Sequence, residues 1–152
     1  MIKILFICHG NICRSPMAEF VMKKMTAEAG IAEEFEIASA ATSTEEIGNP
    51  VYPPARAVMQ AHGIDCSGKT ARQMTRRDYD VYDYIVAMDR QNLRNMAPFV
   101  NGDPSGKVSL LMSHTDRPGD VADPWYTGDF ETTWQDVCLG CAGLLEEINR
   151  KK

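Results

Sequence analysis

Apolar positions in this 152-residue chain fall into short unbroken runs that alternate with segments of helical spacing. Residues 2–7, IKILFI, are almost continuously apolar and rich in β-branched side chains, the pattern of a strand buried on both faces of a parallel sheet. Arg14-Ser15-Pro16 then supplies a capping hydroxyl and a proline suited to a first helical turn. Met17, Phe20, Val21 and Met25 continue at helical spacing, and Gly30 marks the stop. A second strand is expected over residues 34–41, followed by a polar loop with three prolines and a helix over residues 54–62. DYIVAMD (residues 83–89) reads as a third buried strand with a short helix after it (90–96), and KVSLLM (107–112) as a fourth. Residues 129–150 form a long closing helix with Trp134, Val137, Leu144, Leu145 and Ile148 available to the core, whereas residues 75–84 read as a solvated helix or turn. This alternation predicts an α/β fold, a four-stranded parallel sheet with helices on both faces, in one domain over residues 1–152. Such sheets bind ligands at the carboxyl ends of their strands, where the loop of residues 8–15 lies.

Composition adds exclusions. A formal net charge of −5 argues against nucleic-acid binding. MIKILFICHG is too short an apolar run for a membrane span and lacks the flanks of a signal peptide, so no membrane association and a cytoplasmic location are expected. Five cysteines, an odd number without regular spacing, do not form a secreted disulfide framework.

The loop CHGNICRSP carries the chemistry. A strand running into a helix N-terminus offers unpaired backbone N–H groups and the positive end of the helix dipole, an anion site. Gly10 permits a tight backbone, Asn11 tolerates a left-handed conformation, and Arg14 adds a planar fork that matches two phosphate oxygens. Cys8 faces the same concavity, in surroundings that favour thiolate over thiol. A thiolate beneath a bound phosphate attacks phosphorus in line, and the Ser15 hydroxyl can assist its later departure. The leaving group needs a proton, for which Asp123 in DVADPWYTGDF is the candidate, with Pro124 stiffening its loop and Trp125 and Tyr126 walling a slot for an aromatic ring.

CHGNICRSP near the N-terminus and DPWY in the last third resemble the low-molecular-weight protein tyrosine phosphatase family, and the order of strands and helices agrees across essentially the whole chain. The resemblance implies the Rossmann-like fold of that family. It also implies phosphotyrosine hydrolysis through a phosphocysteine on Cys8, with Arg14 as phosphate clamp and Asp123 as general acid and base. Asn11, Ser15 and Ser39 would hold the loop in shape, and His9, Gly10, Ile12 and Cys13 would complete the binding site. Cys13 would cap Cys8 as a disulfide under oxidation. No metal or organic cofactor is implied. The partners expected are phosphotyrosine proteins and a tyrosine kinase, and the protein is expected to be a monomer or weak dimer. Two departures stand out: Thr44, Glu45 and Glu46 lie where mammalian members place an aromatic wall, and Lys69 lies where relatives carry a histidine in the loop network.

Competing readings are weaker. GIDCSGKT (residues 63–70) matches the Walker A pattern but follows a helix rather than a strand. Arsenate reductases on this fold need a further cysteine pair mid-chain, where only Cys66 stands. Cys138 and Cys141 sit on an amphipathic helix and read as core packing, and His9, His62 and His114 have no ligand spacing. Protein-arginine phosphatases carry threonine at the position of Ile12. A module that only binds phosphate would need neither Cys8 nor Asp123.

Overall fold

The N-terminal apolar run forms β1 (Ile2–Cys8) in the computed structural model, which describes residues 1–152. β1 lies in the interior of the sheet, between β2 (Phe35–Ala41) and β3 (Tyr84–Ala87), with β4 (Val108–Leu110) outside β3; all pairings are parallel. Its alternating side chains explain why the run has no polar face. Ile4, Phe6 and Cys8 join one core with Met17, Met22, Val137 and Leu144, while Leu5 and Ile7 join the opposite core with Met74, Tyr79, Ile85 and Met96. Each of these large β1 side chains contributes roughly 1.5–3 kcal/mol by leaving water.

α1 (Arg14–Glu28), α2 (Pro53–Ala61) and α7 (Phe130–Arg150) cover the first face. α3 (Arg76–Val81), α4 (Arg90–Asn95) and α5 (Ala97–Val100) cover the second, and α6 (Pro124–Thr127) is a single turn that carries the chain into α7. No helix is long and apolar enough to cross a membrane. α7 approaches the residues after β4 closely because it lacks side chains at two points. A Cβ on Gly140 would strike the Leu111 side chain, and one on Gly143 the His114 carbonyl.

Several local expectations change. Glu34 belongs to a 3₁₀ turn (Ala32–Glu34), and β4 is short because Leu111–His114 coils into another, burying Leu111 and Met112. Residues 75–84 are not a solvated segment: Thr75 and Asp78 form a reciprocal cap, and Tyr79 and Tyr82 turn into the second core. α1 begins at Arg14 rather than Pro16, and no side chain caps it, since the Ser15 hydroxyl is engaged elsewhere. Residues 63–70 lie on turns with Gly63 and Gly68 at positive φ, without the strand and helix that a nucleotide loop requires. Cys141 is fully buried in the core, and His62 stacks on Trp134 with centroids 4.3 Å apart.

Candidate active site

The order β2-β1-β3-β4 reverses direction between β1 and β3, which opens a crevice at their carboxyl ends. Cys8 ends β1 at that crevice, and residues 9–13 curl from it into α1. No carbonyl of the protein accepts a hydrogen bond from any backbone N–H between His9 and Ser15, so this run of donors is free for an anion.

The curl is held by buried side chains. Asn11 has φ 59°, as its residue type foreshadowed, and its carboxamide is fully committed. Oδ1 accepts from the Arg72 N–H at 3.2 Å, and Nδ2 donates to Ser15 Oγ at 2.8 Å and Ser39 Oγ at 2.9 Å. Ser15 Oγ lies 3.0 Å from Cys8 Sγ. Gly10 is needed for a different reason from the one expected. Its φ is not positive, but a Cβ there would press on Glu46 Cγ at 3.3 Å, so the small residue admits the loop that follows β2.

Arg14 is 2 % exposed and held from three sides. Nη1 donates to Asp89 Oδ2 at 2.6 Å and to the Val121 carbonyl at 2.9 Å, and Nη2 faces Asp123 Oδ2 at 3.4 Å. Burial works against its charge, but Cys8, the Asp89 bond and Asp123 more than compensate and raise its pKa above the ordinary arginine value. Asp123 caps α6: Oδ1 accepts from the Trp125 N–H at 3.0 Å, with Pro124 at the first helical position, so Oδ2 is left turned toward the guanidinium.

The resulting cavity encloses about 350 Å³ and is lined by Cys8, His9, Gly10, Ile12, Cys13 and Arg14 at its base, with Asp123, Trp125 and Tyr126 on one wall and Glu45 and Glu46 on the other. Trp125 and Tyr126 are 54 % and 85 % exposed, and Trp125 leans on Tyr52 at 4.9 Å between centroids. His9 bonds Glu45 across the rim at 2.7 Å. The Cys13 thiol is pushed far above its ordinary pKa, first by burial and then by the negative charges at Cys8 and Asp123. Ser39 does not line the cavity; it supports Asn11 from behind.

All the residues expected from the sequence therefore converge here, in the cavity or, for Asn11, Ser15 and Ser39, directly behind it. Sequence reasoning missed Asp89, Tyr52 and Glu19, whose Oε1 accepts from Ser39 Oγ at 2.6 Å. Asp89 had a signal, since it is the acidic residue that closes DYIVAMD at a strand's carboxyl end. Glu19 had none, as an acidic residue early in a helix is ordinary.

Comparisons with known proteins find relatives over nearly the whole chain. A family model described as low molecular weight phosphotyrosine protein phosphatase matches residues 3–152. The low molecular weight protein-tyrosine-phosphatase YfkJ of Bacillus subtilis is 39% identical over all of this chain and 99% of its own length. Its crystal structure superposes with a TM-score of 0.96 at 36% identity, covering 100% of this chain and 97% of that one. The human low molecular weight phosphotyrosine protein phosphatase is 40% identical, over 96% of this chain and 95% of its own.

Proposed function

The chain belongs to the low molecular weight phosphotyrosine protein phosphatase family, and from that premise we propose how its cavity residues divide the work of hydrolysis. The enzyme is a protein tyrosine phosphatase, a phosphoric monoester hydrolase. The phosphate oxygens accept from the N–H groups of residues 9–15 and from Arg14, whose fixed fork stabilises the charge spread over the transferring group. The Cys8 thiolate attacks phosphorus from below. As the bond to the phenolic oxygen breaks, Asp123 gives that oxygen its proton. In the second step water attacks the phosphocysteine, Asp123 takes a proton from it, and sulfur leaves as thiolate with the Ser15 hydroxyl 3.0 Å away to receive it. His9, Gly10, Ile12 and Cys13 shape the base, and Trp125 and Tyr126 hold the aromatic ring of the substrate.

One observation carries this reading: Cys8, Arg14 and Asp123 line one cavity whose floor is a run of unengaged N–H groups. Ile12, buried at the base, stands where protein-arginine phosphatases carry threonine, and that difference favours phosphotyrosine as the substrate. Phosphate release from a phosphotyrosine peptide should therefore greatly exceed that from a phosphoarginine peptide of the same sequence. Preference for phosphoarginine would keep the chemistry and overturn the choice of substrate.

The partners we propose are phosphotyrosine proteins, with a tyrosine kinase acting in opposition, and the enzyme acts in the cytoplasm as a monomer or weak dimer. Five free cysteines suit such a reducing compartment. Under oxidant, Cys8 sulfenic acid and the Cys13 thiol condense to a disulfide and release water. Because the Cys13 pKa lies well above neutral, its thiolate fraction and the rate of disulfide closure rise about tenfold per pH unit around neutrality. Peptide mapping of samples quenched after peroxide treatment checks this, and absence of a Cys8–Cys13 linkage at any pH removes the role of Cys13.

A further inference from the structure

The segment that carries Asp123 lies along one face of the helix it leads into. Thr133, Asp136, Gly140, Gly143 and Glu147 are spaced three and four residues apart on α7, so they share that face. From the turn after β4 the chain runs back along it toward the start of α7. His114 Nδ1 bonds Glu147 Oε2 at 2.6 Å, while its Nε2 bonds Ser109 Oγ on β4 at 2.8 Å. Gly140 and Gly143 leave room for Leu111 and for the His114 carbonyl. Further along, Arg117 Nη2 donates to Asp136 Oδ1 at 2.6 Å. Thr133 Oγ1, which donates to the Asp129 carbonyl at 3.2 Å, lies 3.5 Å from the carbonyl of Ala122, the residue before Asp123. Asp123 then caps α6, which returns the chain to α7.

We propose that the Arg117–Asp136 ion pair is a positioning element for the general acid: it fixes residues 116–120 to α7 and thereby sets where the Asp123 carboxyl stands. The backbone of these five residues exchanges no hydrogen bond with any other backbone group, so side chains must hold it. On one side Asp120 Oδ1 accepts from the Arg90 N–H at 3.1 Å, and the adjoining Val121 N–H donates to the Met88 carbonyl at 2.8 Å. Those contacts tie the stretch to the residues after β3. On the other side Arg117 ties it to the helix.

Burial makes Asp136 a fixed point. Its side chain is 10 % exposed and Arg117 is the cation paired with it, whereas the Arg117 side chain is 65 % exposed. A carboxylate so nearly buried is costly without a cation, so the guanidinium is held to one place although its own stem stands in solvent. A pair with one partner this exposed adds little to global stability. Its effect is local, on a stretch without regular structure that opens at small cost. Opening there matters because the acid must come within hydrogen-bond reach of the leaving oxygen, and a displacement of about 1 Å costs on the order of 10²-fold in rate. Arg14 is insulated from the pair, since Asp89 holds it directly and Val121 is tied to Met88 rather than to α7.

This inference rests on the reading of Asp123 as general acid, and the test separates the two. Arg117→Met and Asp136→Leu should each lower kcat/KM for phenyl phosphate about tenfold, a part of the roughly 10²–10⁴-fold expected from losing the acid itself. With p-nitrophenyl phosphate, whose leaving group needs little protonation, the loss should stay within about twofold, and inhibition by inorganic phosphate should be unchanged. Arg117→Lys, which keeps the charge, should restore most of the rate with phenyl phosphate. Adding Arg117→Met to Asp123→Asn should cause no further loss, because the group it positions no longer carries the proton. Equal losses with the two substrates, an unaltered rate in both single variants, or a further tenfold loss in the double variant overturns the positioning role alone. If Asp123→Asn by itself loses no more with phenyl phosphate than with p-nitrophenyl phosphate, the acid assignment falls and this inference with it.

Discussion

Cys8→Ser should stop phosphotyrosine turnover, by roughly 10⁴-fold or more, while inorganic phosphate still binds. The two effects separate because different atoms carry them. Affinity is expected from the N–H groups of residues 9–15 and from Arg14, which Asp89 and Val121 hold in place without help from the sulfur. Attack requires an anionic nucleophile, and a serine hydroxyl in this site has no base beside it: the nearest side-chain partner is the Ser15 hydroxyl, another neutral group. Removing the negative sulfur also removes a repulsion on the phosphate dianion, so affinity should hold or improve. Initial rates of phosphate release and calorimetric titration with phosphate measure the two quantities. A substantial residual rate would take the nucleophile role away from Cys8, and loss of phosphate binding would show that the sulfur helps to shape the loop.

Asp123→Asn should cost roughly 10²–10⁴-fold in kcat/KM with poor leaving groups such as phenyl phosphate, and far less with p-nitrophenyl phosphate. Asparagine is the informative replacement. Its carbonyl oxygen can still accept the Trp125 N–H that caps α6, so the loop keeps its place while the transferable proton is lost. The contact between Asp123 Oδ2 and Arg14 is long, 3.4 Å, and secondary to the 2.6 Å bond from Asp89, so Arg14 stays anchored in the variant. A uniform loss across leaving groups would mean that Asp123 orients the site rather than protonating the product. A full-rate variant would place the acid elsewhere.

The YfkJ structure, alike over the whole chain, shares the fold on which these expectations rest. They depend equally on details of this chain. Glu45 and Glu46 line the wall facing Trp125 and Tyr126, and His9 ties Glu45 to the rim. Arg14 and Asp89 meet across the gap where the strand order reverses, so the clamp is built from both sides of that switch.

What the sequence determined by itself is local and periodic. The unbroken run of β1 followed from burial on both faces, and the alternation of elements required a parallel sheet. The loop of residues 8–15 was legible because Cys8, the amides and Arg14 are contiguous, so chain connectivity alone brings them to one concavity. Asp123 was legible because a proline and two aromatics mark its turn. Tertiary structure decided the rest. Tyr79 and Tyr82 lie in a charged stretch that reads as solvated, and only the packing of α3 against the sheet buries them. Asp89 meets Arg14 from 75 residues away, and Glu19 meets Ser39 from 20. No pattern in the chain announces either pair, because a carboxylate acquires its role from the donors that folding places around it. The Asn11 carboxamide meets Ser15, Ser39 and the Arg72 N–H together, and that set of partners exists only once three separate segments are in contact.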